Sequence, residues 1–107
     1  MTTFDQRKDA FENRFALDQA LQFKAVARRN KMLGLWAAEL LGKTGADAEA
    51  YSSDVVAADF EEAGDRDVFR KIRKDFDEAG VKQSDHEIER TMAELLSAAV
   101  AQIKAEG

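Results

Sequence analysis

The chain has 107 residues, with 21 acidic and 16 basic side chains and a formal net charge of -5, a size that suits one small domain. Cysteine is absent, which excludes disulfides, zinc–thiolate sites, iron–sulfur clusters and a thiol nucleophile. Nineteen alanines against thirteen β-branched residues, with no proline, argue against a sheet protein. Alanine loses no side-chain entropy in a helix, whereas β-branched side chains lose χ1 freedom there. No stretch approaches the roughly 20 apolar residues needed to span a bilayer. Met1-Thr2-Thr3-Phe4-Asp5 meets charge before any apolar run, so no secretory signal is expected and the expected location is the cytoplasm.

Three glycines divide the chain. Gly42, Gly64 and Gly80 each follow a periodic segment, where a left-handed residue closes a helix. Plausible restarts follow at Thr44, at Asp65 and at Ser84-Asp85-His86-Glu87, the last reading as a capping box. Four helical segments are therefore predicted, near 4–41, 46–62, 66–79 and 84–105.

The first segment is long for so small a bundle, and its character changes near Leu17. Downstream, Leu21, Phe23, Val26, Met32, Leu33, Leu35, Trp36, Leu40 and Leu41 read as core. Upstream, Phe4, Phe11 and Phe15 form a narrow stripe among charged residues, with spacings of seven and four that keep them on one helical face. Residues 1–17 thus read as a detachable arm, mobile or partly helical, and 18–107 as the bundle. The stripe suits either of two fates: packing back on the bundle, or entering a cleft in a larger partner as a helix-in-groove ligand.

The second segment offers a thin face of Tyr51, Val55 and Ala58, with Val56 and Phe60 alongside. In the third, Phe69, Ile72, Phe76 and Ala79 recur at helical spacing. The fourth carries a single stripe of Ile88, Met92, Leu95, Leu96, Ala99 and Ile103. The third is too short to stand alone and the faces must pack on one another, so the predicted fold is an all-α, small four-helix bundle with short, antiparallel connections.

Charge is unevenly divided. Residues 1–31 hold seven bases and four acids, a net of +3, and the remainder carries -8 of the chain total of -5. A positive end on an acidic body suits an oriented encounter with a partner. Nucleic acid is disfavoured as a ligand, because the whole chain repels phosphate.

Few residues suggest chemistry. Gly42-Lys43-Thr44 imitates the end of a phosphate loop, but the first glycine of that pattern is missing and the preceding residues read as helix. His86 is the single histidine, so no histidine metal pair exists and no triad is indicated. Glu61-Glu62 and Asp75-Asp77 diverge on a helix instead of converging on a substrate. No catalytic residue, metal site or cofactor is expected. Arg28, Arg29 and Lys31 beside Trp36 admit two readings: a charged face backing a buried indole, or a weak anion or nucleotide site in which guanidinium meets phosphate and indole meets base.

The run Leu21-Gln22-Phe23-Lys24-Ala25-Val26-Ala27-Arg28-Arg29-Asn30-Lys31-Met32-Leu33-Gly34-Leu35-Trp36-Ala37-Ala38 resembles the ζ subunit family, the ATPase inhibitors of alphaproteobacterial F-type ATP synthases. Thr44 to Tyr51, Ala58 to Glu62, Asp67 to Lys71, Ser84-Asp85-His86 and Met92 to Leu96 extend the likeness over nearly the whole chain. The resemblance implies a four-helix protein that binds the catalytic head and inhibits ATP hydrolysis. By the same resemblance the N-terminal arm is the inhibitory element, entering a catalytic α/β interface near the γ stalk. That carries the partner-binding role to Phe4, Arg7, Lys8, Phe11, Arg14 and Phe15. The resemblance also implies weak ATP or ADP binding, and a location peripheral to the inner membrane through the synthase, with no direct membrane insertion.

Overall fold

The structure, a computed structural model, describes the backbone of residues 3–59 and 66–106, with side chains from residue 19 onward within those ranges. Four helices are described: α1 (Thr3–Leu40), α2 (Gly45–Ala58), α3 (Arg66–Ala79) and α4 (Asp85–Glu106), with no strand among the described residues. The expected all-α four-helix bundle is therefore the fold. α1 runs through Leu17 without a break, since neither glycine nor proline interrupts the sequence between Thr3 and Leu33. Expected features at Phe60, Glu61, Glu62, Gly64 and Asp65 lie outside the described residues.

Two of the predicted glycine stops end their helices by the same device. Gly42 adopts φ 79° and Gly80 φ 72°, values at which a side chain would strain the backbone. At the first, Lys43 N–H donates to the Ala38 carbonyl at 2.8 Å and Gly42 N–H to Glu39 at 3.1 Å. At the second, Val81 N–H reaches the Phe76 carbonyl at 2.8 Å and Gly80 N–H reaches Asp77 at 3.3 Å. Both are Schellman motifs, which satisfy carbonyls the helix end would otherwise leave unpaired. The imitation of a phosphate loop at Gly42-Lys43-Thr44 is thus a helix stop.

Helix starts differ. Glu87 N–H donates to Ser84 Oγ at 3.1 Å, which is the serine half of the predicted capping box, while the Glu87 carboxylate accepts from the Ser84 hydroxyl at 3.2 Å. Thr44 has the extended backbone of an N-cap, but its side chain makes no capping bond.

Each helix packs on its neighbours in sequence, and α1 also packs on α4, closing a ring. The core joins Leu33, Ala37 and Ala38 of α1 with Tyr51 and Val55 of α2, Val68, Ile72 and Phe76 of α3, and Ile88 and Met92 of α4. Trp36 meets Phe76 edge-on, with ring centroids 5.7 Å apart and planes at 67°. Along α3 the fully buried stripe is Val68-Ile72-Phe76, so the predicted stripe is displaced: Phe69 is half-buried and Ala79 is exposed.

The largest departure from the predicted core lies on α1. Phe23 is 70% exposed and Leu40 is 38% exposed, whereas Arg29 and Asn30 are each 1% exposed. Small residues explain it. Ala25, Gly34, Ala37 and Ala38 are all buried, letting neighbouring helices approach α1 on those faces, while Phe23 falls on a side that α2 and α4 leave uncovered.

Candidate partner-binding surface

Of the residues assigned to an inhibitory arm, Phe4, Arg7, Lys8, Phe11, Arg14 and Phe15 all fall within the helical backbone of α1. Their side chains lie outside the described residues, so the comparison with expectation begins at residue 19.

Arg28, Arg29, Lys31 and Trp36 do not converge. The Arg28 guanidinium makes a two-pronged pair with Glu106 at 2.7 and 2.9 Å and reaches Gln102 Oε1 at 3.4 Å. It is therefore spent on joining α1 to the last turn of α4. That hydrogen bond is the main reason the Glu106 carboxyl is held below its ordinary pKa and the Arg28 guanidinium above its own. Arg29 points inward, its Nε donating to Asn30 Oδ1 at 2.8 Å. Lys31 is exposed, and its carbonyl accepts from Ser52 Oγ at 2.8 Å. Trp36 lies against Phe76 in the core. Arg28, Arg29 and Trp36 are thus each engaged by a different partner within the bundle.

A second polar cluster escaped sequence reading because its members come from two helices and a connection. Tyr51 OH donates to Asp75 Oδ2 at 2.7 Å, and Lys71 Nζ approaches the same oxygen at 3.1 Å. Lys71 and Lys43 stand 5.0 and 5.9 Å from the Tyr51 ring centroid, within cation–π range. Burial, reinforced by the bond to Asp75, pushes the phenol well above its ordinary pKa. The arrangement locks α2 to α3. Asp77, two residues from Asp75, pairs instead with Arg73 at 2.7 Å, so the two carboxylates diverge as their spacing requires.

Arg73 bridges a third junction. Besides Asp77, it bonds Asp85 at 3.1 Å and the Gln83 carbonyl, tying the end of α3 to the start of α4. His86 is exposed beside this junction. These polar groups stitch helices together.

What the bundle offers outward is a helix side. Phe23 borders a groove of about 290 Å³ between α1 and α2, whose lining includes Val26, Ala27, Asn30 and Val56. On its other flank, Phe23 meets a hollow lined by Ile103 and the Arg28–Glu106 pair. Sequence reading placed Phe23 in the core because it counted hydrophobicity and not which sides of α1 have neighbours.

Fold and surface together define a small all-α bundle whose first helix leaves Phe23 exposed. The chain belongs to the ATPase inhibitor subunit zeta family, whose pattern matches residues 1–102. Membership supports an inhibitory role toward ATP synthase and implies interaction with that enzyme. A solved structure titled "Solution NMR structure of the protein" is 48% identical, with a TM-score of 0.71, over 81% of this chain and 99% of that one. Among curated proteins, none matches the chain. No described helix is long and apolar enough to cross a membrane.

Proposed function

We propose that the chain is a non-catalytic inhibitory subunit of F-type ATP synthase whose residues 1–17 insert into a catalytic α/β interface near the γ stalk. There the segment blocks rotation in the direction of ATP hydrolysis, as a mechanical wedge. Family membership carries the reading, because the matched span of residues 1–102 includes the whole arm. Helical backbone from Thr3 onward supports it too, since anchors at spacings of four and seven share a face on a helix. Phe4, Phe11 and Phe15 supply the apolar anchors, each contributing roughly 1.5–3 kcal/mol if fully buried. Arg7, Lys8 and Arg14 supply charge-assisted bonds. Inhibition then places the chain at the inner membrane through the synthase.

The test is ATP hydrolysis by purified F-type ATPase with and without added protein. Full-length chain is expected to inhibit, and a chain lacking residues 1–17 is expected to keep its helical circular dichroism and lose inhibition. Equal inhibition by the shortened chain overturns the assignment of the wedge to residues 1–17. The nucleotide reading of Arg28, Arg29, Lys31 and Trp36 draws no support from their geometry.

A further inference from the structure

Where α1, α3 and α4 come together, a hollow of about 330 Å³ opens to the surface. Its walls are mostly apolar, with Phe69 from α3 and Met92, Ala93 and Leu96 from α4. Concave, apolar lining marked by a few polar groups is what small-molecule sites have in common. The residues that pair with Arg28, Tyr51 and Arg73 take no part in this lining, so the hollow stands apart from the polar junctions that stitch the helices.

The polar groups on it are Arg29, Arg66 and Glu89. Among the described residues the lining thus holds two guanidiniums against one carboxylate, an excess of one positive charge. Arg29 is 1% exposed, which sets its charge into the wall. Arg66 stands on the surface side, its guanidinium 5.4 Å from the Phe69 ring centroid, within cation–π range. It also pairs with Glu89 at 3.2 Å, but the two side chains are 70% and 51% exposed. An ion pair so open to water contributes little. Arg66 therefore exchanges Glu89 for another carboxylate at small cost.

We infer that this hollow binds a free amphiphilic monocarboxylate, a medium-chain fatty acid anion. The hydrocarbon chain lies against Phe69, Met92 and Leu96, where apolar surface leaves water. The carboxylate stays at the mouth and accepts the paired hydrogen bonds that a guanidinium offers. One excess positive charge selects one negative charge. The volume selects a free molecule over a bilayer phospholipid, whose two long chains exceed it. Because the ligand touches α3 and α4 together, binding fastens those helices to each other. This site is independent of residues 1–17.

The experiment titrates full-length chain with octanoate, octanol and octylamine, each kept below micelle formation, and follows amide NMR shifts beside thermal unfolding. Octanoate is expected to give saturable shifts at Arg66, Phe69, Ala93 and Leu96 and to raise the unfolding temperature, as a ligand of the folded state must. Octanol is expected to bind at least about fivefold more weakly, because Coulombic attraction separates the two, and octylamine not at all. Arg66→Gln is expected to erase the preference for octanoate over octanol. Ala93→Trp, a substitution at an exposed position, is expected to fill the mouth and abolish binding of both. Equal affinity for octanoate and octanol, shifts centred on the groove beside Phe23, or binding unchanged by Ala93→Trp each overturn the inference. So does a chain that sediments with phosphatidylglycerol vesicles but gives no saturable response to octanoate. If either variant fails to fold, the three ligands compared on wild-type chain still decide the outcome.

Discussion

A Cβ added to Gly34 would stand 2.6 Å from the Ser52 Cα, so α1 and α2 cross where one of them has no side chain. The contact also brings Ser52 Oγ within 2.8 Å of the Lys31 carbonyl, a bond across the same crossing. Because the obstructing atom is backbone, relief requires the helices to separate.

Gly34→Ala is therefore expected to destabilise the bundle, although alanine is the better helix former by about 1 kcal/mol. Overpacking typically costs about 1–3 kcal/mol, and here it also stretches the Ser52 bond. Thermal unfolding followed by circular dichroism is expected to shift down by several degrees, at roughly 4–8 °C per kcal/mol for a domain near this size. A raised midpoint would show that α1 and α2 are not held this close.

Tyr51 is the single tyrosine, which makes its ionisation directly visible by absorbance. Its folded pKa is raised above the ordinary value of 10.0, first by burial and then by the bond to Asp75. The sign follows: the neutral phenol's contribution to stability is complete below pH 10.0 and is lost as pH climbs through the folded value. Tyrosinate absorbance is expected to be absent at pH 10.0 in the folded protein and to emerge together with loss of helical signal. An ordinary titration midpoint in fully folded protein would refute the buried pair. Tyr51→Phe is expected to remove this alkaline dependence.

The pair of Arg28 with Glu106 gives the opposite dependence. Glu106 is held below its ordinary value of 4.5, chiefly by its hydrogen bond to Arg28. Its contribution is thus complete above about pH 4.5 and lost as pH falls through the depressed folded value. Hydrogen exchange is expected to show faster opening of the last turn of α4 in Glu106→Gln than in wild type at neutral pH, with the difference shrinking in acid. Equal exchange at neutral pH would mean that the pair contributes nothing measurable, a common result for exposed ion pairs.

Ser84→Ala removes the acceptor of the Glu87 N–H. The expected loss is about 0.5–2 kcal/mol, read as a lower denaturant midpoint with unchanged slope. Ser84→Asp, which keeps an acceptor there, is expected to recover most of it. No difference between the two variants would show that the cap bond is not what starts α4.

Helix number and most boundaries were legible in the sequence because they depend on near neighbours. Gly42 and Gly80 stop helices through bonds reaching only five residues back, and Ser84 caps α4 through a residue three ahead. The clean stripe on α4 held at Ile88, Met92 and Ala99 for the same reason. Ala79, Phe23 and Leu40 misled it, since each is apolar but exposed. For Arg28, Arg29, Lys31 and Trp36 the sequence left two readings open, because the partners that Arg28 and Trp36 find, Glu106 and Phe76, are far away in sequence.

The sequence by itself determined that this protein is a helical bundle with a basic leading helix, because helix propensity, capping and glycine conformation act over a few residues. It also carried the family, since residue order and spacing along most of the chain are what family likeness consists of. Only the tertiary structure decided which side of α1 remains open, which arginine joins α4 and which turns inward, and that Gly34 sets the approach of α2. Those outcomes depend on where three other helices happen to lie, and burial at any position on α1 is the sum of what they cover.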